Sequence, residues 1–254
     1  MCIRDRSNGC ICCSLEGDLL RTLAALLRRD PQPEFIVIET SGVADPNDIV
    51  RNLMDPVIFR EAPLETVLCV VDATIALAKL DDALLRSQIR SADIVALSKA
   101  DLADAAHCAQ IRDAVRAIRP TAVLVDAPHG EVSAALLFPD VDREPVPREP
   151  GPQRPRADRF EALNWTSDHP LSLPRLQAAI NRLAPKLARA KGVFETVEQP
   201  GKSMVFQFAG GRATLAPGGA PAAGMPRTRI VFIAEIGVLS RAEIDAIMEG
   251  CVDK

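Results

Sequence analysis

Aromatic residues are scarce in this chain: no tyrosine, one tryptophan and eight phenylalanines, 4% of 254 residues. That scarcity removes the stacking platforms on which single-stranded nucleic acids are bound, and the aromatic belts that anchor proteins at a bilayer surface. A basic surplus is missing as well. Thirty Lys and Arg stand against 34 Asp and Glu, a formal net charge of −4, and the cations are scattered rather than striped. The chain therefore carries no electrostatic footprint for nucleic acid. Long apolar runs are absent. Stretches such as Val67-Leu68-Cys69-Val70-Val71 fall far short of the ~20 residues of a spanning helix, and no apolar segment follows the first residues as a secretory signal would. The expectation is a cytoplasmic protein that engages neither nucleic acid nor membrane. Histidine is rare too: His107, His129 and His169 stand apart from one another, and none is given a role.

Cysteine is the exception to this thrift. Seven are present, an odd number in a chain of ordinary length and in a reducing compartment, so they do not form a disulfide framework. Cys69 lies in an apolar strand pattern and Cys108 in a helical one, where a small buried hydrophobe is expected. Cys10, Cys12 and Cys13 are different, bunched as Asn8-Gly9-Cys10-Ile11-Cys12-Cys13.

At 48% hydrophobic content the chain can bury a core, and its patterning alternates helix and strand. Residues 1–7 carry no periodicity and are set aside as a non-native leader. Leu15, Leu19, Leu20, Leu23 and Leu27 have helical spacing, ended by Arg28, Arg29 and Pro31. Four short apolar runs follow: Phe35–Ile38, Thr66–Val71, Ile94–Leu97 and Ala122–Val125. Each stops at a polar residue, and helical patterns lie over Asp82–Arg90 and Ala105–Ile118. Such runs predict parallel strands buried on both faces, with ligands at their carboxyl ends. This portion, residues 8–138, gives way to a stiff proline-rich linker over 139–158, with prolines at 139, 145, 147, 150, 152 and 155. From 159 to 254 the pattern predicts a smaller α+β domain. Its strands are expected over Phe160–Thr166, Gly192–Glu198, Ser203–Phe208 and Arg227–Ala234, and its helices over Leu173–Leu187 and Ser240–Gly250. The tract Ala216–Pro226 is expected to be a flexible loop. Ser240 with Glu243 three residues on has the form of a capping box.

Three motifs carry chemistry. Three thiols within four residues can converge on one soft cation such as Zn²⁺, with a fourth ligand supplied from elsewhere, an open arrangement suited to handing a metal on. A vicinal pair such as Cys12 and Cys13 is equally the form of a thiol redox switch. Glu39-Thr40-Ser41-Gly42 follows the first apolar run. Strand, acid, two residues, glycine is how P-loop GTPases set a carboxylate near Mg²⁺ and a backbone N–H near a γ-phosphate. A plain turn before a helix cap has the same spelling. Ser98-Lys99-Ala100-Asp101 ends the third run. In GTPases an Asn/Thr-Lys-x-Asp segment stands there, its carboxylate accepting from guanine N1 and N2 while the lysine stem lies along the base. Adenine lacks those donors, so the acid discriminates. Ser98 replaces the usual Asn or Thr, which removes an amide that braces the loop.

Taken in order, Asn8–Cys13, Glu39–Pro46, Val70-Val71-Asp72-Ala73, Ser98–Asp101 and the later Arg189–Gly192 and Thr228–Ile233 segments resemble the CobW-type family of GTP-dependent metal chaperones. The resemblance implies a P-loop GTPase-type parallel sheet followed by a smaller α+β domain. It implies metal ligation, Zn²⁺ or Co²⁺, by Cys10, Cys12 and Cys13. Glu39 would stand near Mg²⁺ and be the catalytic candidate, Gly42 would face the γ-phosphate, and Ser98, Lys99 and Asp101 would hold the guanine of GTP. The implied partner is a client metalloenzyme or a cobalamin-pathway protein, and oligomeric assembly is left open. The sequence departs from the family in one respect: no Gly-x-x-x-x-Gly-Lys-Ser/Thr, the phosphate cradle, occurs in it. The expectation is a sheet lacking its first βαβ unit and a chain that hydrolyses GTP negligibly. The alternative from a different class is a non-catalytic metal-binding or scaffold protein.

Overall fold

The computed structural model describes residues 16–53, 58, 61–139, 160–218 and 226–253. The leader, the cysteine cluster and nearly all of the proline-rich tract lie outside them. The chain divides into two compact units with boundaries after Glu65, Leu77 and Ser91. One unit holds the described residues up to Glu65 together with Ala78–Ser91, and the other holds Thr66–Leu77 and everything from Ala92 onward.

The first unit is helical. Helix α1 (Glu16–Leu27) turns Leu19, Leu20, Leu23 and Leu27 inward against Ile49 and Leu53 of α2 (Pro46–Leu53) and against Ile58. Pro46 opens α2 at a position where its missing N–H is no loss, and Asp45 caps the helix by accepting from the Asn47 N–H at 2.9 Å. Helix α3 (Ala83–Ser91) is capped in the same way, Asp82 Oδ1 accepting from the Leu84 and Leu85 N–H groups at 3.0 Å each. Phe35–Ile38, expected as a strand, forms none. Only Ile36 packs into the helical core, whereas Val37 is 74% exposed. A run apolar at every position specifies a strand only where neighbours supply both a hydrogen-bond ladder and cover on each face. Among the described residues no strand pairs with it.

The second unit contains both sheets. Strands β1 (Leu68–Asp72), β2 (Ile94–Ser98) and β3 (Val123–Ala127) pair in parallel in that order, and helix α4 (Ala105–Ile118) makes the crossover from β2 to β3. β2 is central, and Ile94 to Leu97 are all 1% exposed or less. After the short helix α5 (Ala134–Leu137) come β4 (Phe160–Ser167), α6 (Leu173–Leu183), β5 (Arg189–Thr196), β6 (Gln199–Ala209), β7 (Arg212–Pro217), β8 (Thr228–Glu235) and α7 (Arg241–Glu249). Their strands form one antiparallel sheet, β4-β8-β5-β6-β7. The fold is thus the expected one, a parallel α/β sheet followed by an α+β portion. Alternation along β8 divides its residues between two cores. Ile230, Phe232 and Ala234 join Trp165, Leu176, Ile180, Ile244 and Met248 under α6 and α7. Val231 and Ile233 face the other way, into a cluster with Ile94, Ala96 and Val125 of the parallel sheet. The two sheets therefore share an apolar core.

Ser240 caps α7 as expected, its Oγ accepting from the Glu243 N–H at 3.2 Å. The loop expected over Ala216–Pro226 is corrected at its start, because β7 runs to Pro217 and pairs with β6, Met204 opposite Pro217; residues 219–225 lie outside the described set. Polar backbone groups along Ala213–Ala216 find partners on β6 whatever their side chains, which the composition of the tract did not reveal.

At the amino end of β2 the two sheets are also tied by polar contacts. Asp93, 4% exposed, accepts from the Val67 N–H at 3.0 Å and from Arg212 Nη2 at 2.9 Å. Arg119 donates to the carbonyl of Gly210 at 3.2 Å. Gly210 and Gly211 form the β6–β7 turn with φ of +55° and +75°, and a Cβ on Gly210 would stand 2.5 Å from Asp93 Oδ1. Glycine is required there by conformation and by space together.

Candidate nucleotide site

The register of the parallel sheet brings Asp72, Ser98 and Ala127 side by side at the carboxyl ends of β1, β2 and β3. Asp72 is the organising group. Its Oδ2 accepts from Lys99 Nζ at 2.5 Å, and its Oδ1 accepts from the Thr74 N–H at 2.9 Å and the Thr74 hydroxyl at 2.6 Å. These bonds, the Lys99 ammonium foremost, hold the Asp72 carboxyl well below its ordinary value of 3.8, at about 2. Lys99 is one of the two described non-glycine residues with positive φ, at 56°. That left-handed conformation costs an L-residue about 1 kcal/mol and concentrates at functional sites. It opens a turn closed by the Leu102 N–H on the Lys99 carbonyl at 3.0 Å.

Ser98 is half-buried. Its hydroxyl donates to the Val71 carbonyl at 3.4 Å, and its own carbonyl accepts from the Ala73 N–H at 2.9 Å. It therefore stitches β1 to β2 beneath the turn. Asp101 stands on the turn exposed to solvent. Behind it Asp104 caps α4, accepting from the Ala106 and His107 N–H groups at 2.9 and 3.0 Å, and the His107 donation helps to hold its carboxyl below the usual range. His107 Nε2 lies 2.9 Å from the Ile75 carbonyl. The serine, lysine and aspartate singled out in the sequence thus occupy one turn. Asp72, which fixes the lysine, is only a strand end in the sequence; its place directly opposite Ser98 comes from the register of the parallel pair.

Glu39 and Gly42 belong to the other unit, and both are exposed. Gly42 does not have positive φ, and none of the described residues lies within 4 Å of where its Cβ would stand. Neither backbone strain nor packing among the described residues demands glycine there. Its carbonyl accepts from Gln88 Nε2 at 3.0 Å. Cys10, Cys12 and Cys13 lie outside the described residues, among which no three His, Cys, Asp or Glu gather as a metal site. Cys69, Cys108 and Cys251 are buried free thiols; burial pushes Cys69 up to about 11 and also raises Cys251. No helix among the described residues is long and apolar enough to cross a membrane.

Residues 3–126 match the CobW/HypB/UreG nucleotide-binding domain, which gives the class of protein. Residues 160–252 match the cobalamin synthesis protein CobW C-terminal domain, and with both parts matched in order the chain belongs to the CobW family. Among its relatives is the zinc chaperone CobW of Sinorhizobium sp, 33% identical over 54% of this chain and 45% of that protein. The zinc chaperone YjiA of Escherichia coli K12 is 28% identical over 81% of this chain and 69% of its own length. The zinc-regulated GTPase metalloprotein activator 1 of Schizosaccharomyces pombe is 26% identical over 54% of this chain and 34% of its own. The chain thus aligns with under half of the first of these relatives.

Proposed function

We propose that this chain is the guanine-selecting and metal-carrying part of a cytoplasmic zinc chaperone, one that loads a client metalloprotein under the control of GTP. The observation that carries the reading is the Lys99 turn: a left-handed lysine locked to Asp72, with the Asp101 carboxylate presented to solvent two residues on. The lysine stem offers a flat apolar edge to a base, and Asp101 offers two lone pairs to guanine N1–H and N2–H. Relatives named as zinc chaperones and as a GTPase metalloprotein activator support the reading.

In this scheme Gly42 gives its backbone N–H to the terminal phosphate, and Glu39 stands on the metal side of it. Mg²⁺, when bound, would neutralise phosphate charge. Cys10, Cys12 and Cys13 hold the cargo, Zn²⁺ or the chemically similar Co²⁺, as thiolates, so affinity falls as pH falls and the thiols reprotonate. Hydrolysis by this chain alone is expected to be negligible, since its sequence offers no Gly-x-x-x-x-Gly-Lys-Ser/Thr cradle.

Ligand-observed NMR with GDP, ADP and xanthosine diphosphate at mM concentration tests the base site. Guanine is expected to bind ahead of adenine. Asp101→Asn should weaken GDP by ~10–100-fold, the range for a lost charged hydrogen bond, and should improve binding of the xanthine base, which carries an acceptor where guanine has its amine. Equal binding of GDP and ADP, unmoved by Asp101→Asn, would remove the guanine reading.

A further inference from the structure

Helix α3 presents a polar face to the segment that follows Glu39. Gln88 Nε2 donates to two carbonyls of that segment, Gly42 at 3.0 Å and Ala44 at 3.2 Å, so both amide protons are engaged. The adjacent Ser87 Oγ donates to Asp45 Oδ1 at 3.3 Å and accepts from Asn47 Nδ2 at 2.9 Å. Ser91 Oγ lies 3.1 Å from Asn47 Oδ1 and 3.0 Å from the Ser87 carbonyl, a single proton serving either acceptor. Residues 87, 88 and 91 share one helix face by their spacing, and Ile89, fully buried, anchors the helix from a different one. Within the turn the Ala44 N–H donates to the Ser41 carbonyl at 3.0 Å, while the side-chain donors to its Gly42 and Ala44 carbonyls come from α3. Contacts from α3 thus help to set its conformation.

From this geometry we infer that Gln88 is a positioning residue for the phosphate-facing turn. Its amide holds the Gly42–Val43 and Ala44–Asp45 peptide groups, and so restrains the direction in which the neighbouring Gly42 N–H points. The inference rests on the reading of Gly42 as the glycine that meets the terminal phosphate, and it adds the route by which the state of that phosphate reaches α3. A phosphate that draws the Gly42 backbone must move carbonyls that Gln88 holds, so turn and helix respond together. A side chain of the same shape without donors cannot serve. Glutamate keeps the length of Gln88 but meets the two carbonyls with oxygen only, and methionine keeps the bulk with no polar group.

Amide hydrogen exchange on the full chain, with Gln88→Glu and Gln88→Met beside the native protein, tests this. Without nucleotide, exchange at Ala44 and Asn47 is expected to speed about 10-fold in both variants, as two neutral hydrogen bonds of ordinary strength imply. Helix content by circular dichroism should be unchanged. With GTP and Mg²⁺, and not with GDP, the native protein should show slowed exchange in 41–47 and in α3 together, and both variants should lose the linkage between them. Unchanged exchange at Ala44 and Asn47 in both variants overturns the role of Gln88 while leaving Gly42 in place. Faster exchange in the variants with no response of the native protein to GTP overturns the phosphate-facing reading of Gly42, and the positioning role with it.

Discussion

Phe35–Ile38 and Ile94–Leu97 are spelled almost alike, four apolar residues ending at a polar one, yet they have opposite fates. Ile94–Leu97 becomes the central strand of the parallel sheet, flanked by β1 and β3, with every side chain 1% exposed or less. Phe35–Ile38 forms no strand and leaves Phe35 45%, Val37 74% and Ile38 36% exposed. The difference is not propensity. β2 has a ladder on both edges and a core on both faces, whereas the earlier run has neither among the described residues. A hydrophobic run states a demand, and its neighbours decide whether the demand is met.

Mutations should separate the two runs most widely. Leu97→Ala removes a fully buried side chain and should destabilise the protein by about 2–5 kcal/mol in chemical denaturation followed by circular dichroism, whereas Val37→Ala should stay within about 0.5 kcal/mol. Comparable losses at both sites would mean that Phe35–Ile38 is buried after all. Next in size is the tie at the amino end of β2. Asp93→Ala leaves the Val67 N–H without its partner and frees Arg212, and is expected to cost about 2–3 kcal/mol; Arg212, 63% exposed, is rehydrated, which keeps the loss below that of a fully buried pair. Gly210→Ala, which forces a Cβ onto Asp93 at positive φ, should cost about 1–2 kcal/mol in the same assay. A neutral Gly210→Ala would show that the β6–β7 turn does not sit on Asp93.

Smaller effects sharpen the contrast at the other end of β2. Because the Asp72 carboxyl is depressed from 3.8 to about 2, the stability it contributes is fully present above pH ~4 and disappears as pH falls through ~2. Carboxyl carbon shifts recorded by NMR across that window should titrate near 2 in the native protein and shift toward 3.8 in Lys99→Met, since the lysine is the largest cause. A midpoint near 3.8 in the native protein would argue against the Lys99–Asp72 bond. Cys69, pushed up to about 11 by burial, should resist alkylation at pH 8 in the folded chain and react once the chain is unfolded, as mass spectrometry of the labelled protein would show.

Much of the architecture was legible in the sequence because local chemistry and global fold agree. The runs at Thr66–Val71, Ile94–Leu97 and Ala122–Val125 became strands, the 105–118 periodicity became α4, and Ser240 with Glu243 formed the expected helix start. The failures have physical causes. Phe35–Ile38 needed partners that its own residues cannot announce. β7 was hidden because an edge strand paired on one side tolerates the exposed Arg212, Thr214 and Leu215, whose pattern resembles a loop. At the candidate site, Ser98, Lys99 and Asp101 could be picked out because the motif is contiguous. Asp72 and Gln88 could not, for their significance comes from residues 27 and 46 positions away. Asp93 was hidden for the same reason, its arginine partner lying 119 residues along the chain.

The central claim, that this chain carries a thiolate-bound metal, is tested most directly by titrating the reduced protein with Zn²⁺ against a competing chelator, beside a variant with Cys10, Cys12 and Cys13 all changed to Ser. Tight one-to-one binding that disappears in the variant and weakens as pH is lowered is the expected result. Equal binding by the two proteins would contradict the claim, because the metal would then be held somewhere other than the cysteine cluster.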